Sequence, residues 1–438
     1  MGLLKKPLLL FLLLFASITR LSTHCPAQEF TFDLDELEKK SYHLGGFAEI
    51  KPIIFKLDKD AALYRLRFYD RDGGQTRRQY DLTLQLDGSY ETGIARLFAR
   101  TNSHLSYGDG DWSQENTLYE GLLSLNPSPS LTLDLGKKTL KWGTGYAWNP
   151  VAFLDRPRDP DDPALALEGY FVAAADLTRS FNGPLLQTVS FTPALVPVYG
   201  DINQDFGETG HLNLAARFYF LFMDTDIDFM FLAGGSQPSR YGVAFSRNLA
   251  TNFAIHAELA WINGFQKVTL DREGRLAESR DDALSYLLGL RYLSAQETTY
   301  VLEYYRNGTG YTAKEMRDYF AFIDQGYDAY LSTGNNDLLA LAAGLTEDRY
   351  GATNPMQNYL YLRISQKEPF DILYVTPSLT WIVNLDDQSF SLAPEMVYSG
   401  VSNLELRLKG TVLTGGHYTE YGEKPSDLRL ELRARYFF

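Results

Sequence analysis

The sequence predicts an all-β fold: a transmembrane antiparallel up-and-down β-barrel of about 18 strands, with 16 as the alternative. Three observations predict it. Apolar and charged residues alternate with a period of two. Many of these segments run about ten to twelve residues, the length that a tilted strand needs to cross a bilayer. Short and long connections alternate between them. A barrel of this size encloses an aqueous lumen.

The N-terminus has the pattern of a secretory signal peptide over residues 1–27. Lys5 and Lys6 form a basic start, and the apolar run that follows is too short to span a bilayer. Small residues come next, and we expect cleavage after Ala27.

The expected mature chain has two parts, a periplasmic N-terminal segment at 28–42 and the barrel at 43–438, with long extracellular loops. Cys25 raises the alternative of a lipoprotein anchor. His24 disfavours that alternative, because it stands where a lipoprotein signal would have a small residue.

Composition excludes several classes of protein. Cys25 is the only cysteine, so the mature chain would have neither disulfides nor cysteine-bound metal, and we predict no metal site and no cofactor. The formal charge is -14 at pH 7, and loss of the three cations of the signal peptide makes it -17. Such an acidic chain is a poor candidate for binding nucleic acid.

Hydropathy and length distinguish a β-barrel from a helical membrane protein and from a soluble protein. The mean hydropathy is -0.23, and beyond the signal no long uninterrupted apolar run occurs, which excludes a helical membrane protein. A soluble protein of 438 residues would usually divide into several domains with helices among the strands. The pattern of strands and turns instead continues to the last residue.

The C-terminal strand shows the alternation most clearly. One face is apolar and the opposite face charged, as expected when side chains alternate across a strand. The apolar face carries Leu428, Leu430, Leu432, Ala434, Tyr436 and Phe438, and the charged face carries Arg429, Glu431, Arg433 and Arg435.

The connections fall into two sizes, as periplasmic turns and outer loops do. Short turns rich in turn-forming residues are expected at sites such as Asp87-Gly88 and Val401-Ser402-Asn403. Ala61 to Tyr69 reads as a strand, but we assign it to the first outer loop because bacterial barrels have even strand numbers. Longer loops are expected at 145–166, 199–210, 264–281, 307–355 and 416–426.

The chain end resembles the C-terminal signature of outer-membrane β-barrels. Tyr436 and Phe438 follow alternating hydrophobic residues, as in the signal that the barrel-assembly machinery reads. The resemblance implies location in a bacterial outer membrane, with outer-membrane lipid and that machinery as partners. It is specific to a class and says nothing of a substrate.

A second resemblance lies at Gly136-Lys137-Lys138-Thr139-Leu140-Lys141-Trp142-Gly143, followed by Trp148-Asn149-Pro150, which is similar to a stretch of several porin-like barrels. The apolar alternation changes parity here. A bulge near Gly136 would restore it and turn Lys137 and Lys141 inward.

Strand parity predicts a basic inner wall in an acidic protein. If the constriction lies in this wall, the pore should prefer anions, whereas entry of loop 307–355 would bring its aspartates and reverse the preference. The predicted pore-lining cations are Arg96, Arg100, Lys137, Lys141, Arg363, Arg407, Lys409, Arg429, Arg433 and Arg435.

Two constellations suggest other chemistry. His104 and Ser106 share a strand face, similar to the pairing in an outer-membrane phospholipase, but their parity places them in the lumen, away from lipid esters. Asp201, Asn203 and Asp205 alternate as calcium ligands would, although Phe206 stands where an EF-hand has glycine. We interpret them, like the aspartates at 159–162, as a solvated outer loop.

Together these patterns predict a non-enzymatic porin that passes small hydrophilic solutes, narrowed by loop 145–166 or 307–355. The alternatives are a barrel that acts as a sheath or scaffold for a partner, such as an electron carrier or adhesin, and an outer-membrane hydrolase. The sequence leaves monomer and homo-oligomer both open.

Overall fold

Each strand pairs antiparallel with its neighbours in the chain, and β1 also pairs with β18, so the sheet closes on itself. The computed structural model describes residues 41–438; the expectations for 1–27 and most of 28–42 lie outside them. The predicted count of eighteen is confirmed. The strands are β1 Tyr42–Leu57, β2 Thr76–Thr92, β3 Ala95–Gly108, β4 Asp111–Ser128, β5 Leu131–Lys138, β6 Tyr170–Ser180, β7 Leu186–Val198, β8 His211–Phe222, β9 Thr225–Ala233, β10 Arg240–Ala250, β11 Phe253–Leu270, β12 Leu276–Leu293, β13 Thr298–Arg306, β14 Asn358–Gln366, β15 Val375–Asn384, β16 Phe390–Val401, β17 Leu404–Thr414 and β18 Ser426–Phe437.

The helices lie in connections between strands. Helix α1 is Ala62–Phe68, in the segment that we assigned to the first outer loop, which confirms that assignment. Helices α2 (Ala313–Thr333) and α3 (Asp337–Leu345) lie between β13 and β14, with a π-helical turn at Thr346–Tyr350. A 3-10 turn at Pro369–Asp371 precedes β15. None of the described helices has both the length and the apolar character that crossing a membrane requires.

The two ends of the barrel differ as predicted. The chain enters β1 and leaves β18 at the end that carries the short connections, such as 93–94, 251–252 and 402–403. The opposite end carries the long ones, notably 139–169 and 307–357. Phe438 closes the barrel by exchanging two backbone hydrogen bonds of 3.1 Å with Gly46 of β1.

The faces of the wall follow the predicted parity. Leu430 and Leu432 are 47% and 49% exposed on the outer face, whereas Glu431 and Arg433 between and beyond them are buried. Leu408 and Lys409 on β17 repeat the contrast. Exposed apolar side chains outside and paired charges inside are the arrangement that a hydrocarbon environment requires.

Three local expectations are wrong. Asp87 and Gly88 lie inside β2, and the turn comes at 93–94. Most of 264–281 belongs to β11 and β12, which extend as a hairpin to a turn at 271–275. Gly136 is not a bulge, because its pairing with both neighbours continues unshifted; its φ of +131° suits glycine, and a Cβ would lie 2.2 Å from the Gly121 carbonyl oxygen.

The candidate pore and its inner loop

The connection between β5 and β6, residues 139–169, turns into the barrel and reaches the far wall. We call it the inner loop. Its backbone amides bind side chains of β11 and β13, and its acidic segment binds β17 and β18. The predicted inward folding of 145–166 is therefore found.

Glu258, on the inner face of β11, holds the first turn of the inner loop. Its Oε1 accepts backbone N–H groups of Thr144 and Gly145, the latter at 2.6 Å, and it has almost no exposure. The turn needs glycine, since a Cβ on Gly145 would lie 2.0 Å from the Trp148 carbonyl oxygen. A buried carboxylate is tolerated here because it accepts several hydrogen bonds.

Glu303 on β13 holds the next two residues. Its two oxygens accept the backbone N–H groups of Tyr146 at 2.6 Å and Ala147 at 2.8 Å. His256 of β11 lies 2.7 Å from the same carboxylate, which is fully buried. Two wall carboxylates thus fix four consecutive amides of the inner loop.

Asp155 fixes the shape of the inner loop from within. It accepts backbone N–H groups of Leu140, Lys141 and Trp142 at 3.0–3.1 Å. Burial raises the pKa of Asp155, and these three hydrogen bonds oppose the rise. Its oxygens are therefore occupied by the backbone.

The acidic segment of the inner loop meets the basic wall. Asp162 lies 3.0 Å from Arg433 and 3.6 Å from Arg407, and Asp161 lies 3.7 Å from Arg429. Lys409 donates to the Asp161 carbonyl oxygen at 2.7 Å. Burial acts to raise the pKa of Asp162, but the guanidinium groups outweigh it and hold the pKa below its ordinary value. Our expectation that these aspartates lie in a solvated loop is wrong.

An aromatic anchor joins the inner loop to the helices of loop 307–357. Trp148 stacks on Tyr305 at 5.2 Å between ring centroids, and its indole N–H donates to Asn354. Trp148 belongs to one continuous buried cluster that also includes Tyr319 of α2 and Leu287 of the wall. Burial of this apolar surface stabilises the packing of the outer loops against the inner loop.

An inner cavity of about 770 Å³ lies towards the end with the short turns. The cavity is lined at that end by His43, Asp87 and Phe438, and at its opposite limit by Asp161 and Asp162 of the inner loop. Seven arginines and lysines line it, together with seven side-chain carboxylates. The basic wall is thus neutralised there.

An outer cavity of about 630 Å³ lies towards the long loops. Its charge is strongly unbalanced, because Asp155 is the one lining carboxylate among the described residues. The lining cations are Arg100, Lys141, Arg156, Arg158 and Arg240. The two cavities adjoin at Arg100 and residues 164–166 of the inner loop, which line both.

The predicted pore-lining cations lie in different parts of the barrel. The inner cavity is lined by Arg100, Arg407, Lys409, Arg429, Arg433 and Arg435. Arg363 pairs with Glu395 on the wall, and Arg96 lies 3.5 Å from Glu91 near a short turn.

The two lysines assigned to a bulge are placed differently from that expectation. Lys137 is the penultimate residue of β5, where it pairs with Glu168 beside a smaller cavity of about 340 Å³. Lys141 lies beyond β5, in the inner loop, with φ +56°. Neither reaches its position through a bulge.

Two site residues escaped the sequence analysis, namely Arg158 and Arg240, and the contacts of the inward-facing Glu258 and Glu303 with the inner loop were not predicted. Period-two alternation identifies the inward face of a strand, but it does not show which loop atoms that face binds. The pair of glycines at 143 and 145, beside a loop rich in aspartate and proline, was the available signal for a tight turn.

The alternative constellations serve structural contacts. Ser106 donates to Asp81 at 2.8 Å, while His104 lies 3.1 Å from Thr83, so the two do not form the Ser–His pair that nucleophilic catalysis needs. Asn203 binds the backbone of Phe171, and Asp205 pairs with Arg156. The side chains that the structure describes include no group of three or more His, Cys, Asp or Glu residues that could hold a metal ion.

The fold and the lumen define the class: a porin-like β-barrel of eighteen strands. No protein-family model and no curated protein matches the chain. Similar solved structures include a triple mutant of the Rhodopseudomonas blastica porin, 10% identical, which covers 91% of this chain and all of its own, with a TM-score of 0.44. Pseudomonas aeruginosa OccK2 (OpdF), in complex with glucuronate, and OccK5 (OpdH) are 11% and 10% identical; they cover 91% and 90% of this chain and 98% of their own, each with a TM-score of 0.49. At these values the likeness carries no argument about solute or mechanism.

Proposed function

We propose that the protein is an outer-membrane channel through which small hydrophilic solutes diffuse, narrowed by the inner loop. The observation that carries the proposal is the pair of polar cavities that meet at Arg100 and residues 164–166 inside the barrel. Together they trace a route from the end with long loops towards the end with short turns. The apolar outer face supports residence in a bilayer.

Anion preference is part of the proposal, but its source differs from the one that the sequence suggested. Cations and carboxylates balance in the inner cavity, whereas cations dominate in the outer cavity. Charge acts on an ion within about one Debye length, roughly 8–10 Å at ordinary salt. The outer cavity is therefore the selective part.

A sheath for a partner protein is less well supported, because the inner loop crosses the lumen between β11 and β18. Conductance of the refolded protein in a planar bilayer tests the proposal. We expect discrete steps and a reversal potential of anionic sign across a KCl gradient. Folded, inserted protein without conductance would contradict the channel, and a cationic reversal potential would contradict the preference.

A further inference from the structure

The outer cavity contains cations that no carboxylate neutralises. The side chain of Arg240, at the start of β10, forms no ion pair or hydrogen bond with any other described residue, and its Nε is buried without a partner. The phenols of Tyr170 and Tyr305, uncharged at neutral pH, are its ionisable neighbours. A desolvated cation without an anion is costly unless a ligand supplies one.

Two further cations of the outer cavity come from the inner loop. Arg158 donates to the carbonyl oxygens of Gly145 and Tyr146, which carry no net charge, at 2.5 and 3.3 Å. Lys141 is exposed, and it forms no ion pair with any described side chain. Both line the same cavity as Arg240.

The other charges of the cavity are already satisfied. Arg156 pairs with Glu168 and Asp205, and Arg100 pairs with Glu120. Asp155 is engaged by three backbone amides. The outer cavity therefore has an excess of positive charge, which a negatively charged ligand would neutralise.

The remaining lining residues indicate what the rest of a ligand would meet. Thr139, Asn149, Thr309 and Thr353 offer hydroxyl and amide groups. The buried Oδ1 of Asn149 lacks a donor. Hydroxyl groups on a ligand would be able to bind such side chains.

We propose that the outer cavity is a binding site for a small hydroxylated organic carboxylate, held by Arg240, Arg158 and Lys141 before it passes the inner loop. The proposal deepens the channel function and rests on it for the passage step. The binding itself is independent of conduction. Guanidinium groups bind carboxylates with two parallel hydrogen bonds, which favours the two arginines as the main contacts.

Calorimetric titration of the refolded full chain in detergent, with gluconate as the probe, tests the site. We expect gluconate to bind and its uncharged analogue glucitol not to bind. Arg240→Gln should weaken gluconate binding at least about tenfold. The Arg240 side chain has no hydrogen bond or ion pair to lose among the described residues, so the variant should remain folded; exposed Lys141→Gln, with a smaller expected loss, is a second variant.

Arg247→Gln is the matched control, because Arg247 lies on the same strand, exposed at its other end. Equal gluconate affinity in the wild type, Arg240→Gln and Arg247→Gln would overturn the proposal. Binding of inorganic phosphate but not gluconate would overturn the carboxylate class. A conducting channel that binds neither gluconate nor phosphate would overturn the binding site and leave the channel function standing. Gluconate binding without conductance would overturn the channel function and leave the binding site standing.

Discussion

Asp162 of the inner loop accepts a hydrogen bond from Arg433 of β18, with 3.0 Å between Oδ2 and Nη2. The carboxylate of Asp162 also faces Arg407 at 3.6 Å. The cations that strand parity places on the inner wall are thus met by acid from a loop that is distant in the sequence. Asp162 is one of the seven carboxylates that balance the seven arginines and lysines of the inner cavity.

Replacing Asp162 by asparagine should increase anion preference. The change removes one negative charge while keeping a similar side chain between Arg407 and Arg433. A unit charge about 7 Å from an ion in water changes its energy by about 0.6 kcal/mol, or roughly two- to threefold in permeability ratio. Reversal potentials across a KCl gradient measure it. Asp271→Asn, at the exposed turn 271–275, is the control of equal charge; equal shifts in both variants would contradict the argument.

Replacing Glu258 by alanine should loosen the inner loop. The amides of Thr144 and Gly145 would lose their acceptor, and each buried unsatisfied group costs about 1–3 kcal/mol. We expect larger and more variable single-channel conductance. Glu278→Ala, an exposed change on β12, should leave the conductance unaltered. Steady wild-type conductance in Glu258→Ala would show that the inner loop does not depend on this contact.

Arginine should be tolerated on the inner face of the wall and not on the outer face. Leu430→Arg places charge on the apolar exterior, at a cost of roughly 2–4 kcal/mol near mid-bilayer, and should reduce insertion. Asn102→Arg lines the inner cavity and should insert normally. Asn102 suits this comparison because replacing an inward-facing cation such as Arg433 would leave the carboxylates of Asp162 and Glu431 without that partner. The yield of heat-modifiable protein in membranes gives the result, and equal yields would remove the assignment of faces.

The loop at 415–425 should open as pH rises. Glu420 is buried and accepts hydrogen bonds from Tyr359 at 2.6 Å and Asn384 at 2.7 Å. Burial raises its pKa from the ordinary 4.5 to about 7. Because the folded value is the higher one, the stabilisation is complete below about pH 4.5 and is lost as pH rises through about 7.

A dye sensitive to its environment, attached at Gly416→Cys, would report this opening between pH 5 and pH 8. Gly416 is exposed with open space around it. Glu420→Gln keeps the hydrogen bonds without the charge and should remove the response. A response of equal size in Glu420→Gln would assign the titration to another group.

The sequence predicted the wall far better than the lumen. The strict alternation around Leu430 and Arg433 determines which face meets lipid, and an even strand number placed 61–69 in a loop, where it forms a helix. Turn-forming residues were a weaker guide. Asp87-Gly88 lies within a strand because pairing with Leu44 and Gly45 continues past it.

The contents of the lumen depend on tertiary contacts that no local pattern encodes. The contacts of Glu258 and Glu303 with backbone amides 114 and 157 positions away involve atoms that every residue type carries. For the same reason Asp161 and Asp162 appeared to be solvated. Their partners become visible only when the inner loop is placed across the barrel.

Thiol modification beside the inner loop tests most directly whether solutes pass through the lumen. Ala164→Cys, in a chain with Cys25→Ser, places one thiol where both cavities adjoin, and Gly416→Cys in an outer loop is the control. Attachment of a charged methanethiosulfonate reagent should sharply lower the conductance of Ala164→Cys and leave that of Gly416→Cys unchanged. If mass spectrometry shows that the Ala164→Cys thiol is completely modified and the conductance is nevertheless unaltered, passage along the inner loop would be contradicted.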